Sequence, residues 1–368
     1  MNLNVRFVAP RFAPSIGGIE TRVREIATRL SKKGFRTEVC SFDSSPITRS
    51  IRSIDGVRIY RFRSIAPHDA YFFPGPVSCH WLRKNPVDII DAHNIHAFPA
   101  SAAAFCRSGR EKLLLTPHYH GEAHTPVRRM LFSGYRRLAK FMVQRCDYIV
   151  CVSESERQLF ERDYPRSAMT TATIPNGVDY AELNRYSWKP RTENNTLLYV
   201  GRLEKYKNVG ILLEACHILK KSFSQIVRLV IVGSGPYEAA LHDLAAKLDI
   251  QDTVSWVRSA SRDELLRNYE RTSAFVMLSE HEAYSLTVAD AIALGVPAVV
   301  PTAGGLAAYV KKGIAIGVDT ARPEGVAQKL LEVLQDPFKY SRRMEARKHI
   351  SSWDDVAGMV ERLYMQMT

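Results

Sequence analysis

The sequence predicts an α/β protein with two doubly wound parallel sheets in tandem. Its 368 residues fit two domains better than one. Short strands rich in β-branched residues alternate with amphipathic helices, which is the pattern of βαβ units. With 46% hydrophobic and 24% charged residues, the composition is that of an ordinary globular chain and excludes the disordered, collagenous and repeat classes.

The first series of elements spans residues 1–178, which we assign to an N-terminal domain. It opens with a strand at 4–10, followed by a glycine-containing loop and a helix at 19–34. Further strands are predicted at 35–42, 57–62, 87–93, 112–117 and 147–153.

The polar segment 179–195 contains Pro190 and is interpreted as a linker. The strand and helix alternation then restarts in a second domain, 196–348. The last segment, 349–368, has Ser352 as a plausible N-cap and apolar residues at helical spacing, so we expect a helix that packs back across the domains. Ligands of doubly wound sheets bind at the carboxyl ends of the strands, so we expect the site in a cleft between two such sheets.

The positive charge is concentrated in the first half of the chain. The formal net charge is +13, and residues 1–180 hold 27 basic and 16 acidic side chains, against 24 and 22 in the remainder. Such asymmetry indicates an anionic partner for the first half. Zinc-finger spacing, RNP-type aromatics and a basic zipper are all missing, so nucleic acid is not expected. An anionic membrane surface or a lipid phosphate is favoured.

The segment 126–145 carries an apolar stripe and an arginine-rich stripe. Two interpretations stay open for it: a surface helix packed on its own sheet, or a helix that docks on a membrane. No apolar run approaches the ~20 residues of a membrane span, and no signal sequence is visible at the start. Six cysteines without CxxC spacing favour free thiols. We therefore expect a cytoplasmic protein with peripheral contact at the inner face of the membrane.

Two glycine motifs could approach a ligand closely. Gly17 and Gly18 precede the first helix, where free N–H groups attract an anion, although a flexible turn is an equal alternative. Gly233 begins GSGP at the end of a later strand. This motif resembles half of a dinucleotide fingerprint. Neither domain supplies the complete motif that a nicotinamide oxidoreductase requires. We therefore interpret GSGP as a tight strand-to-helix turn.

Charged residues follow two strands of the second domain. Arg202 and Lys207 could converge on a diphosphate, or else form surface ion pairs. Glu282 follows the strand AFVML, and Asp290 lies eight residues further on, within a helix. Between these two carboxylates, backbone N–H groups would form a helix terminus that binds an anion, while the carboxylates hold hydroxyl groups. The N–H groups are those of Ala283, Tyr284, Ser285 and Leu286.

Five motifs in order, PSIGGIE, IPNGVD, VGRLEKYKN, VGSGPYE and SEHEAYSLTVADAIALGVPAVV, resemble those of the retaining glycosyltransferases of family 4. The resemblance implies the GT-B fold, with two Rossmann-like domains facing a central cleft. It also implies transfer of a hexose, with retention, from a nucleotide-diphosphate sugar to a glycan or lipid-linked acceptor. No cofactor and no metal would be required.

The resemblance also assigns roles to individual residues. Glu282 would hold hydroxyls of the donor sugar, and Arg202 with Lys207 would hold the diphosphate. The glycine loop falls on Gly17 and Gly18, and His118 would lie beside the donor sugar. The nucleobase would lie near Val257 and Arg258, the weakest of these assignments, and the ribose near Asp290.

Several positions depart from the family pattern. Asp290 replaces a glutamate, and Ala283 and Ser285 replace glycines, so that Ser285 could cap the following helix. A catalytically inactive sugar-nucleotide-binding protein therefore stays an alternative. Five histidines lie between His93 and His124; His118 and His120 would share a face if they were on a strand. We expect hydrogen-bond donors there rather than a metal site.

Overall fold

The computed structural model describes residues 3–43, 49–66, 72–121, 135, 137–165, 170–189 and 195–368. The chain divides into two compact units: unit 1 is Met1–Gly177 with Trp353–Thr368, and unit 2 is Val178–Ser352. Each unit has a mainly parallel sheet and its own apolar core. The predicted fold class, two doubly wound sheets in tandem, is confirmed.

The strands of unit 1 include several that the sequence pattern did not predict. They are β1 (Asn4–Ala9), β2 (Arg36–Asp43), β3 (Arg49–Ile54), β4 (Val57–Ile65), β5 (Phe73–Pro74), β6 (Ile89–His93), β7 (Lys112–Thr116), β8 (Tyr148–Cys151) and β9 (Thr170–Thr173). In the described part of the chain their order is β3-β4-β2-β1-β6-β7-β8-β9, with β5 paired to β4. The β3/β4 and β4/β5 pairs are antiparallel, and the others are parallel. The strand order reverses between β1 and β6, which makes their carboxyl ends the expected ligand position.

The helices of the first part of unit 1 cover the sheet. They are α1 (Gly18–Lys32), α2 (Pro76–Lys84), α3 (Phe98–Cys106), α4 (helical over 137–144) and α5 (Glu154–Asp163). Helix α1 shows the expected amphipathic spacing, because Val23, Ile26 and Leu30 are buried.

Most of the arginine-rich segment 126–145 lies outside the described residues. In the part that the structure describes, Met142 is buried, whereas Lys140 and Phe141 are exposed. None of the described helices has the length and apolar content that a bilayer span requires. None of the six cysteines, all of which lie among the described residues, forms a disulfide.

Unit 2 has a parallel sheet in the order β12-β11-β10-β13-β14-β15. Its strands are β10 (Thr196–Val200), β11 (Arg228–Val232), β12 (Val254–Val257), β13 (Ala274–Val276), β14 (Ala298–Pro301) and β15 (Ile316–Val318). All five strand pairs are parallel in the described residues. The order reverses between β10 and β13, so the loops after these two strands occupy the switch point.

The helices of unit 2 alternate with its strands. They are α6 (Tyr180–Leu183), α7 (Val209–Phe223), α8 (Glu238–Lys247), α9 (Arg262–Arg271), α10 (Leu286–Leu294), α11 (Ala307–Lys311), α12 (Pro323–Gln335) and α13 (Arg343–His349). Helix α6 lies within the segment interpreted as a linker. Further along that segment, Trp188 Nε1 donates to Thr272 O at 2.8 Å, and Lys189 N donates to Glu270 O at 2.9 Å. The described part of the segment is therefore packed on unit 2.

The C-terminal helix, α14 (Trp353–Met367), returns to unit 1. Its predicted apolar stripe is buried, together with Tyr364, which the pattern did not single out. Arg29 Nε of α1 donates to Asp354 Oδ1 at 2.8 Å, and Lys33 contacts Glu361. Packing of this helix across both domains stays a prediction.

Candidate functional site

The loops that follow β10 and β13 are hydrogen-bonded to each other. The N–H of Glu280 donates to Tyr206 O at 3.1 Å. The amide of Asn208 donates to Leu278 O at 3.1 Å, and Asn208 itself has a left-handed backbone with φ 55°. Side chains separated by many residues in the sequence are thereby held together at the switch point of the unit 2 sheet.

Lys207 and Glu282 form an ion pair in these loops. Lys207 Nζ contacts Glu282 Oε1, and the side chains are 11% and 15% exposed. The ammonium also lies 5.0 Å from the ring centre of Tyr206, within cation–π range. Burial lowers the pKa of Lys207, but the charge of Glu282 and the contact with Tyr206 outweigh it, so this pKa lies above its ordinary value. Lys207 is therefore a cation at neutral pH, and its partner is Glu282, the carboxylate that the sequence analysis assigned to the donor sugar.

Arg202 lies at the end of β10 but does not join this pair. Its guanidinium is 59% exposed, and Nη2 lies 3.2 Å from Glu204 Oε1. The backbone at this position is fixed, because the buried Tyr199 donates its hydroxyl to Arg202 O at 3.0 Å. An exposed ion pair is weak, so the guanidinium can exchange Glu204 for an anionic ligand at low cost.

Gly233 forms the predicted tight turn between β11 and α8. Its φ is 142°, and a Cβ atom at this position would lie 2.0 Å from Gly201 O. A Cβ on Gly235 would lie 2.3 Å from Leu203 O. Both glycines are required because their backbone packs directly on the loop that carries Arg202.

The residues Ala283, Tyr284 and Ser285 lead into α10, whose first helical residue is Leu286. The expected capping by Ser285 is wrong. Ser285 occupies the N-cap position, but φ is 66° rather than extended, and its hydroxyl contacts the Thr287 hydroxyl at 3.2 Å instead of a backbone N–H. The first N–H groups of an α-helix have no acceptor within the helix, so this terminus can bind an anion.

In unit 1, His118 follows β7 in a left-handed conformation with φ 49°. His118 and His120 therefore do not lie on a strand, so the shared face that a strand would give them is not formed. Pro117 has no N–H to continue the ladder, so β7 ends at Thr116. His118 instead pairs with His93, whereas His120 stacks on His96 with ring centres 4.5 Å apart.

His118 ends a row of buried polar groups. Its Nε2 lies 3.2 Å from His93 Nδ1, and His93 Nε2 lies 3.3 Å from Asp91 Oδ1. Tyr364 donates its hydroxyl to Asp91 Oδ2 at 2.7 Å. Burial lowers the pKa of His118 to about 3, and the positive charge of Arg22 lowers it further. Burial raises the pKa of Asp91 to about 6, although the hydrogen bond from Tyr364 and the charge of Arg22 partly offset this rise.

Among the described residues, no group of three or more His, Cys, Asp or Glu side chains is arranged to hold a metal ion.

Gly17 and Gly18 lie between β1 and the body of α1. A Cβ on Gly17 would lie 2.4 Å from Glu20 Oε2, whereas a Cβ on Gly18 would meet no atom within 4 Å. Glu20 is held by Arg11, whose Nε donates to Oε1 at 2.9 Å. A Cβ on Gly17 would therefore require the end of the Glu20 side chain to shift, whereas the exposed Gly18 leaves the start of α1 open to a ligand.

Two family models cover almost the whole chain. The model of glycosyl transferases group 1 matches residues 181–350, and the model of glycosyltransferase family 4 matches residues 16–182. A glycogen synthase from Mycobacterium tuberculosis is 30% identical over 95% of this chain and 91% of its own length. The chain belongs to the group 1 glycosyltransferases.

This glycosyltransferase also has the fold of two solved structures. Sucrose-phosphate synthase from Thermosynechococcus elongatus matches with a TM-score of 0.83 and 18% identity over 99% of both chains. Anabaena HepE in complex with UDP and glucose matches with a TM-score of 0.77 and 16% identity over 99% of both chains.

In this glycosyltransferase, Asp290 is engaged by an arginine that the sequence analysis missed. Arg262, the first residue of α9, contacts Asp290 Oδ2 through Nη1 and donates from Nε to Glu182 Oε2 at 2.9 Å. Asp290 is only 7% exposed. No local sequence signal links Arg262 to Asp290, because the contact depends on how α9 packs beside α10.

Arg258, the predicted neighbour of the nucleobase, lies just after Val257 at the end of β12. Its side chain is 79% exposed, and Nε lies 3.2 Å from Glu238 Oε1 of α8. Arg258 is therefore a surface ion-pair partner in this glycosyltransferase, and its expected role stays a prediction.

Glu156 was also missed, although it fixes the backbone beside His118. Its two carboxylate oxygens accept from Tyr119 N and Val152 N, both at 2.5 Å. A sequence signal does exist, since Ser153 caps α5 and Glu156 follows three residues later, as in a capping box. The pattern predicts a helix start, but it does not indicate that the carboxylate holds a second loop.

Proposed function

We propose that this glycosyltransferase is a retaining hexosyltransferase. It moves a hexose from a nucleotide-diphosphate sugar to a hydroxyl of a glycan or lipid-linked acceptor and leaves an α-linkage. The observation that carries the proposal is the ion pair of Lys207 and Glu282 at the switch point of the unit 2 sheet. Glu282 lies four residues before the start of α10.

The reaction breaks the bond between the anomeric carbon and a diphosphate oxygen. Negative charge develops on the leaving oxygen, and fixed cations and amide dipoles stabilise it where water is excluded. Lys207 and the N-terminus of α10 would supply such groups, and the exposed Arg202 would join them on binding. The Glu282 carboxylate would accept hydrogen bonds from sugar hydroxyls.

Retention requires the acceptor oxygen to bond the anomeric carbon on the face that the diphosphate leaves. The acceptor hydroxyl gives its proton to a phosphate oxygen of the leaving group, so neither a protein nucleophile, a metal nor a cofactor takes part in the proposed step. HepE, which has the same fold and was solved with UDP and glucose, supports a nucleotide sugar as the donor. We propose that Gly17 and Gly18 approach the donor and that His118 contacts its sugar.

We further propose that the basic half of the chain binds the acceptor and contacts an anionic membrane at its cytoplasmic face. The net charge of +11 on residues 1–180 supports this proposal. Flotation with anionic and with neutral vesicles tests it. Binding to anionic vesicles that weakens with salt is expected, and equal binding or no binding contradicts the membrane contact.

A panel of nucleotide sugars tests the transferase activity. Each donor is incubated with the full chain, with and without a lipid extract, and the released nucleoside diphosphate is measured. We expect release from at least one donor that increases when the acceptor is present. Donor binding without any release supports the inactive sugar-nucleotide-binding alternative. An NMR spectrum of the product must show an α-anomer, and a β-anomer contradicts retention.

A further inference from the structure

Two cysteines of unit 1 lie side by side. Cys79 is in the middle of α2, and Cys106 is the last residue of α3. Cys106 Sγ donates to Cys79 Sγ at 2.6 Å, and both residues are partly exposed. The other four cysteines are buried; they are Cys40, Cys146, Cys151 and Cys216. Proximity and access to solvent therefore distinguish this thiol pair from the remaining cysteines.

The two sulfur atoms are already close to the separation that a disulfide requires. An S–S bond is about 2.05 Å long, so the atoms would have to move together by only roughly 0.5 Å. The two cysteines are 27 positions apart in the sequence, and the packing of α2 on α3 brings them together. Both also pack against the apolar core of unit 1. Small rotations of the two side chains can therefore form the bond while the helices stay in place.

Cys106 keeps its proton at neutral pH. Burial and the contact with Cys79 raise the pKa of the Cys106 thiol to about 12, although the charge of Arg83 partly offsets this rise. A disulfide is attacked by a thiolate and not by a thiol, so Cys106 is a poor first nucleophile. The first attack on an oxidant therefore belongs to Cys79. Once the sulfur of Cys79 is bonded to the oxidant, it no longer opposes the ionisation of Cys106.

We propose that Cys79 and Cys106 are a redox-active pair that a low-molecular-weight disulfide converts into an intramolecular disulfide between α2 and α3. Cys79 loses its proton, and its sulfur bonds to one sulfur of the oxidant. The S–S bond of the oxidant breaks, and the released thiolate takes up a proton. Cys106 then loses its proton and displaces the second thiol from Cys79. Two electrons pass from the pair to the oxidant, and an excess of reducing thiol reverses both steps.

The new bond would enclose β6. The closed loop, residues 80–105, contains this strand with Asp91 and His93 of the polar row behind His118. A crosslink of this kind lowers the conformational entropy of the unfolded chain. The oxidised form of unit 1 should therefore resist unfolding more than the reduced form. This inference does not depend on the proposed glycosyl transfer.

Oxidised glutathione is the probe for the first test. The reduced full chain is transferred to buffer without reductant, incubated with the probe at neutral pH, and measured as an intact protein by mass spectrometry. We expect the loss of two hydrogen atoms and no attached glutathione. Trypsin can cleave after Arg83 and Lys84, between the two cysteines, so a peptide map without reductant should contain one crosslinked pair that joins Cys79 to Cys106.

Single variants test the order of the two steps. Cys106→Ser removes the resolving thiol, so Cys79 should retain one glutathione. Cys79→Ser should acquire glutathione at least tenfold more slowly, because Cys106 stays protonated. Cys216→Ala, which removes a buried thiol of unit 2, is the matched control and should still form the crosslink. Equal rates of glutathione uptake in the two serine variants overturn the assignment of Cys79 as the first nucleophile.

The wild type alone decides whether the pair forms a disulfide, whether or not the variants fold. Circular dichroism verifies that the chain is folded during oxidation. A folded wild type that keeps both thiols, or that forms a crosslink through a different cysteine, overturns the proposal. Urea unfolding, followed by a probe in unit 1, should have a midpoint about 1 M higher for the oxidised chain than for the reduced chain. Equal midpoints overturn the stabilising effect of the bond.

Discussion

A Cβ atom on Gly305 would lie 1.8 Å from the carbonyl oxygen of Glu282. The glycine loop after β14 is therefore packed against the backbone that carries the candidate donor-binding carboxylate. A Cβ atom on Gly304 would lie 2.9 Å from the carbonyl oxygen of Glu280, and the φ of Gly304 is 73°. The position of Glu282 depends on this contact as well as on Lys207.

Gly305→Ala should displace the Glu282 turn and lower kcat by about a hundredfold, because a shift of about 1 Å at a reacting group has an effect of that size. Gly325→Ala is the matched control, since a Cβ there meets no atom within 4 Å in α12. Steady-state release of nucleoside diphosphate and circular dichroism are the measurements. Full activity in Gly305→Ala would show that Glu282 needs no fixed backbone.

Lys207→Met should lower kcat by roughly a hundredfold, because it removes a fixed cation from the leaving group. It should also lower the free energy of unfolding of unit 2 by about 1–3 kcal/mol, since the mostly buried carboxylate of Glu282 loses its partner. Lys220→Met, which removes an exposed ion pair with Asp249, is the control and should preserve activity. Unchanged turnover in Lys207→Met contradicts the leaving-group role.

Glu156 predicts a pH-dependent stability difference. Burial, partly offset by hydrogen bonds from Val152 N and Tyr119 N, raises the pKa of this carboxyl from 4.5 to about 7. Between these values the folded chain holds a proton that the unfolded chain releases. The stabilising contribution is complete below pH 4.5 and is lost as pH rises through about 7.

The stability of the wild type relative to Glu156→Gln should therefore fall by on the order of 3 kcal/mol between pH 4.5 and pH 8. Urea unfolding of both proteins across this range, followed by a probe in unit 1, measures the difference. A difference that is constant with pH would show that Glu156 titrates normally.

Ser261 and Ser285 both occupy N-cap positions but should differ in energetic effect. Ser261 Oγ accepts from Glu264 N at 3.3 Å in a complete capping box, so Ser261→Ala should destabilise unit 2 by about 1 kcal/mol. Ser285 makes no capping bond, so Ser285→Ala should leave stability nearly unchanged. Urea unfolding midpoints of the two variants measure these stability changes. Equal losses of stability in both variants would contradict the difference in capping.

Local sequence signals were sufficient for the strands that matter most to the site. The predicted strand AFVML, 274–278, contains β13, and the second domain was expected to start at 196, where β10 begins, because buried parallel strands are short apolar runs followed by glycine or polar residues. Strands β3, β5 and β9 were not predicted. Of these, β3 carries polar and charged residues, and β5 has two residues, so neither leaves an apolar run to detect.

The sequence by itself determined that two α/β units follow one another and that charged and glycine residues come directly after their strands. Both properties depend on residues that are close together in the sequence, so the spacing of apolar and polar residues predicts them. Only the tertiary structure decided that Tyr364 reaches Asp91 across 273 positions, that Arg262 engages Asp290, and that Gly305 supports Glu282. Such contacts depend on the order of strands in each sheet and on the packing of loops, and no local pattern encodes either.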